Sequence, residues 1–162
     1  MKFFASSALN AAAIGLAQAY TTNIRVARDA TVLYTGSIGA LNLEIILLGF
    51  DLPAKSISKC MLKIPHPIEV ATNGEYALSV AVTDNNWAED TVSGANKSLN
   101  GIDIGSVLVA VGLKPGDIDV TSSCQGAMDG KLSLFVESQP ASTHFNSIQS
   151  GSPAIFSLDV TY

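Results

Sequence analysis

The sequence predicts an all-β chain folded as a two-sheet antiparallel β-sandwich of jelly-roll-like design, and three observations carry that prediction. Apolar and polar residues alternate in separate stretches, most clearly over 76–83, 131–137 and 154–162, which is the pattern of strands with one face on a core. Residues 43–64 join an unbroken apolar run to an alternating run through Asp51-Leu52-Pro53, and a run that short, stopped by a proline turn, reads as a buried strand. No segment after Asn23 sustains a helical period. The 162 residues suffice for one core without special staples, and about nine strands at this spacing suit two packed sheets better than a barrel or an α/β fold.

Taken in order, the chain opens with Lys2, an apolar stretch over 3–16 and the ending Ala17-Gln18-Ala19. That small-x-small ending is what signal peptidase accepts, so 1–19 reads as a secretory signal peptide and 20–162 as a single sandwich domain. Residues 30–35 form the first strand, closed by Gly36 and Gly39. The run over 43–50 and the strand over 59–64, with Cys60, Leu62 and Ile64 on one side, are expected to form the centre of the β-sheet protein. Pro65-His66-Pro67 and Asn73-Gly74 then break the chain before the strand 76–83. Residues 84–103 are the longest region without alternation; they hold Trp87, the only tryptophan, and Asn96-Lys97-Ser98, an acceptor pattern for N-glycosylation at Asn96. Loops of that length in compact domains tend to carry function or to move. Strand character resumes over 104–111, Lys114-Pro115-Gly116 interrupts it, and Ile118 and Val120 point inward before Cys124. The strand 131–137, a polar segment over 138–152 and a final strand over 154–162 complete the pattern.

Composition excludes some partners. The net charge is −5, charged residues make up 14%, and no basic cluster stands out, whereas phosphate backbones are held chiefly by Lys and Arg. Nucleic acid, anionic lipid and polyanionic sugars are therefore disfavoured. After residue 19 no stretch approaches the roughly 18 to 20 apolar residues of a membrane span, so the expected product is secreted and extracellular. In an exported chain two cysteines are most simply one disulfide, Cys60–Cys124, contributing about 4 kcal/mol through the loop it closes. The competing thiol or metal reading lacks a CxxC and has only His66 and His144 to draw on.

Four pieces in order, Phe50-Asp51-Leu52-Pro53, Trp87-Ala88-Glu89-Asp90-Thr91-Val92, Asp119-Val120-Thr121 and Pro153-Ala154-Ile155 through Val160-Thr161-Tyr162, resemble DNRLRE domains, the group that includes family-96 carbohydrate-binding modules. The resemblance spans residues 24–162. It implies a β-sandwich and carbohydrate binding, beside polysaccharide-degrading enzymes or in cell-wall and adhesion proteins. Three departures each remove a polar or aromatic group: no arginine stands before Phe50, Gly94 replaces a second tryptophan, and Gln149 replaces a glutamate.

Sandwiches that bind sugars stack aromatic faces on pyranose rings and hydrogen-bond the hydroxyls through a few amides and carboxylates. The candidate ligand-binding residues are Trp87, Asn85, Asn86 and Glu89, with Tyr76, Tyr34 and Tyr20 as further aromatics; against this, the residues favour Trp87 as a loop anchor buried on the sandwich and Tyr76 as core. Glu89 and Asp90 are consecutive and point apart in extended chain, a poor fit to a glycosidase pair about 5 Å across a bond. Asp51, Asp84, Asp117 and Asp119 at strand ends offer oxygen ligands for a structural Ca2+, but no 12-residue loop pattern accompanies them, so neither a metal nor a cofactor is expected. His66 reads as an exposed turn residue, and His144 lacks a nucleophile elbow. The expected function is that of a secreted, non-catalytic domain holding a polysaccharide or cell-wall glycan. The alternative is a structural, adhesive or effector-type protein that keeps the sandwich without a sugar site, with Ile46, Leu48 and Phe50 covered by a loop or by self-association.

Overall fold

Period-two patterning becomes two facing sheets. The computed structural model describes residues 19–35, 42–72, 74–93, 101–127 and 129–162. Among them are eleven strands: β1 (Thr21–Arg25), β2 (Arg28–Thr35), β3 (Asn42–Asp51), β4 (Lys59–Lys63), β5 (Glu69–Val70), β6 (Glu75–Thr83), β7 (Ile102–Ala110), β8 (Ile118–Asp119), β9 (Lys131–Gln139), β10 (Thr143–His144) and β11 (Ser157–Thr161). One short helix, α1 (Thr121–Gly126), and a 3-10 turn, Ile148–Ser150, complete the elements. One sheet runs β2-β3-β9-β6-β7, the other β1-β11-β4-β8, and β5 pairs with β10 in a small ribbon. Every pairing is antiparallel, and the chain passes repeatedly from one sheet to the other, as in a jelly roll.

The core lies between the sheets. Register sets Leu48 opposite Leu134 and Phe50 opposite Leu132 across β3 and β9, and Leu62 opposite Leu158 and Cys60 opposite Val160 across β4 and β11. Leu78 and Val80 from β6 join them, and all of these side chains are buried. At roughly 1.5–3 kcal/mol for each large apolar side chain removed from water, this interior dominates the stability. Ile118 and Val120 are buried as the alternation predicts, and Cys60–Cys124 is a disulfide that fastens α1 to β4.

The 43–50 and 59–64 strands do not form the centre of one sheet. β3 lies between β2 and β9, and β4 lies between β11 and β8. The intervening residues 52–58 cross from one sheet to the other, burying Leu52 and Ile57 on the way. Two neighbours already occupy both edges of β3, so β4 finds its partners in the opposite layer. The same geometry gives Leu48 and Phe50 their cover from this chain alone, with Ile46 packed against the same cluster.

The outward faces differ. Outside the four-stranded sheet, Thr21 bonds Thr161 through their hydroxyls at 2.8 Å, and Asn23 Nδ2 donates to Ser157 Oγ at 3.0 Å and Asp159 Oδ1 at 2.8 Å. Lys63 pairs with Asp117 and lies 3.6 Å from Asp159, and the Asp117 contact holds its ammonium above the usual lysine range. Outside the five-stranded sheet, Val32 and Leu47 are buried together with Trp87, and Ala30, Val92 and Phe135 pack against them.

Candidate functional site

The loop over 84–93 is built around Trp87, which is 8% exposed. Its indole N–H donates to Ser133 Oγ at 3.0 Å, and the Ser133 hydroxyl donates to Asn85 Oδ1 at 2.7 Å. The Arg28 guanidinium sits 4.5 Å from the ring centroid and donates to the Trp87 carbonyl at 2.7 Å, a cation–π contact joined to a charge-assisted hydrogen bond. Arg28 lies flat because Gly49, its cross-strand partner, has no side chain; a Cβ there would stand 2.6 Å from Arg28 Nε. The loop is thus a lid over the outward apolar side chains of β2, β3 and β9.

At one end of the sandwich, the crossover 51–57 faces α1 and the turn that leads into β9. Between them lies an open groove of about 780 Å³ bordered by Asp51, Lys55, Gln125, Asp129 and Lys131. A second lobe of about 340 Å³ shares Ala127, Asp129 and Lys131 with it and reaches Thr83 and Asn85. The partition between the lobes is firmly made. Gly130 adopts a left-handed φ of 69°, its carbonyl accepts from the Leu52 N–H at 2.7 Å, and Asp129 Oδ1 accepts from the Lys131 N–H at 3.0 Å. Asn85 Nδ2 braces it from the lid side, donating to the Lys131 carbonyl at 3.1 Å and to Asp129 Oδ2 at 3.3 Å. Opposite the partition, Gln125 Nε2 donates to the Ile57 carbonyl at 2.8 Å, tying helix to crossover. Asp51 and Lys131 face one another across β3 and β9. Carboxylates, two ammonium groups and amides together offer both acceptors and donors, the equipment a groove needs to grip hydroxyl groups.

A smaller cleft of about 200 Å³ opens beside β2, lined by Asp29, Thr143, His144, Asn146, Ser147 and Gln149. Glu89 reaches its rim, accepting a hydrogen bond from Gln149 Nε2. Burial pushes the Asp29 carboxyl above its ordinary value and the Glu89 carboxyl pushes it further, while the Ile148 N–H acts in the opposite direction.

The predicted ligand residues are therefore dispersed. Trp87 is the lid's anchor, Asn85 braces the groove, and Asn86 is exposed, its N–H bonded to Asp84 Oδ1 at 2.9 Å. Glu89 belongs to the small cleft. Tyr76 is 1% exposed in the core and Tyr20 is 65% exposed; the Tyr34 side chain and Asn96 lie outside the described residues. Among the strand-end aspartates, Asp117 holds Lys63, Asp84 holds Asn86, and Asp119 accepts from the Thr121 N–H at 2.9 Å, bonding that keeps its carboxyl below the usual range. Among the described residues no three His, Cys, Asp or Glu side chains gather as a metal site. Of the groove residues, the sequence singles out Asp51 only as a strand-end oxygen ligand, and Lys55, Gln125, Asp129 and Lys131 not at all. The signal that leads to them is the cysteine pair, since joining position 60 to position 124 brings the crossover and α1 together.

Comparison with known proteins follows the same lines. Residues 19–159 match the model of carbohydrate-binding module family 96. A relative from Arthroderma benhamiae, described as an uncharacterized secreted protein, is 31% identical over 115 residues, covering 67% of this chain and 57% of the relative. The chain thus spans a little over half the length of that relative. Among the described residues no helix is long and apolar enough to cross a membrane.

Proposed function

Because the chain belongs to carbohydrate-binding module family 96, we propose that it is a secreted, non-catalytic domain that holds a polysaccharide of a cell wall or extracellular matrix, and that the groove between the crossover and α1 is where the sugar chain lies. Family membership over nearly the whole chain carries this reading. The groove suits it because it is open along its length, walled by pre-formed elements, and lined by side chains that both donate and accept. An open groove admits the interior of a sugar chain, and walls fixed by a disulfide and a glycine turn lose little freedom on binding.

The test is retention on insoluble polysaccharides together with a glycan array, using the unaltered protein, Asp51→Ala, Lys131→Ala and Trp87→Ala. Retention should fall at least several-fold in the two groove variants, with circular dichroism unchanged. Absence of retention on every polysaccharide would refute it.

A second reading, a structural, adhesive or effector-type protein that keeps the sandwich without a sugar site, is favoured by one observation. The sole tryptophan is closed in between Arg28 and the sheet and presents no open face for stacking. The same experiment separates the two, since this reading expects no retention at all.

A further inference from the structure

Three segments far apart in sequence meet at the free edge of the lid. β2 supplies Asp29, the lid supplies Glu89, and the 3-10 turn supplies two donors: the Ile148 N–H to Asp29 Oδ2 at 3.1 Å and Gln149 Nε2 to Glu89. Because Ile148 and Gln149 are consecutive, these two donors bring the carboxyls of Asp29 and Glu89 to the same corner of the fold. Asp29 Oδ1 is buried, and among the described residues no donor reaches it. Two ionised carboxylates are acceptors only, so a bond between them requires a proton on one.

We propose that Asp29 and Glu89 form an acid-closed latch on the lid. With one proton shared, the carboxyls bond to each other and draw the 84–93 loop against β2 and the 148–150 turn. With both ionised, the half-buried Asp29 carboxylate and the exposed Glu89 carboxylate repel, the edge of the lid lifts, and the cover over Val32, Leu47 and Phe135 loosens. Among the described residues, the cationic groups of the neighbouring elements are engaged elsewhere. Arg28 of β2 is committed to Trp87, and Arg25 of β1 donates to the Ser152 carbonyl. β3 sets Leu48 opposite Asp29. His144, which lines the same cleft, faces Glu69 at 3.2 Å, and Asp90 of the loop adds only negative charge.

The direction of the pH effect follows from linkage. The closed state raises the Asp29 carboxyl above its ordinary 3.8, so the latch's contribution is complete below that ordinary value and is lost as pH rises through the raised one.

Trp87 is the only tryptophan, so intrinsic fluorescence reads the lid alone. In the full chain, raising the pH from about 3.5 to about 8 should shift the emission to longer wavelength and increase acrylamide quenching several-fold, with far-UV circular dichroism unchanged. Glu89→Gln and Asp29→Asn each place an amide donor where the proton would be, and both should stay blue and poorly quenched throughout. Constant emission and quenching in the unaltered protein would overturn the latch. So would a full transition persisting in both variants. Should a variant fail to fold, the titration of the unaltered protein decides.

Discussion

Outside the four-stranded sheet, Thr21, Asn23, Ser157, Asp159 and Thr161 stand in water and bond one another. Outside the five-stranded sheet, Val32 and Leu47 lie with Phe135 beneath a loop fastened by Trp87. Strand geometry is common to both, and the outward residue types differ. A polar outward row satisfies itself with water and neighbours, whereas an apolar one must be covered, and here the cover comes from the longest non-alternating stretch of the chain. The lid and the apolar row beneath it therefore act as one unit, while the bare face contributes solubility and little else.

That contrast can be broken experimentally, and the largest effect should come from the lid. Trp87→Ala removes the anchor, the seat of the Arg28 guanidinium and the partner of Ser133; it should destabilise by about 3–5 kcal/mol, read by urea denaturation followed by circular dichroism, with new binding of a hydrophobic dye. A loss below about 1 kcal/mol would mean that the outward apolar row needs no cover. Ser133→Ala should cost less, about 1–3 kcal/mol, because the indole N–H and Asn85 Oδ1 lose their buried partner while the packing remains. On the bare face, Asn23→Ala deletes two hydrogen bonds, yet it should shift stability by no more than about 0.5 kcal/mol, because water replaces both. Equal losses from Ser133→Ala and Asn23→Ala in the same urea titration would abolish the distinction between the faces.

The strands that fold as the sequence suggests are those with a clean alternation. β11 buries every second residue, β6 does so as far as Val80, where a register shift changes its phase, and β9 buries Leu132, Leu134 and Val136 together with Ser133 beneath the lid; Tyr76 goes to the core as its phase on β6 requires. β1, β5 and β10 escape a sequence reading for a physical reason. β1 carries only Ile24 as an apolar residue and is held as an edge by register with β11, and β5 and β10 are two residues each, too short for any period. α1 is equally hidden, because six residues make less than two turns and a single one, Cys124, is buried. The partition of β3 and β4 between sheets is a tertiary outcome, invisible in two adjacent apolar stretches. At the site, Trp87 was legible as an anchor, because a lone aromatic beside polar residues suits either a platform or a plug and burial decides between them. The groove was not legible, since Asp51, Gln125 and Lys131 become neighbours only after the sheets have packed and the cysteines have joined.

The stack of Gly49, Arg28 and Trp87 has a consequence for how such a chain can diverge. Any side chain larger than hydrogen at position 49 would meet Arg28 Nε, Cγ and Cδ, so the arginine arm must shift, and a shifted guanidinium weakens its hold on the indole face and on the Trp87 carbonyl. The three positions, spread over almost sixty residues of sequence, are therefore physically coupled: a change at one is felt at the other two.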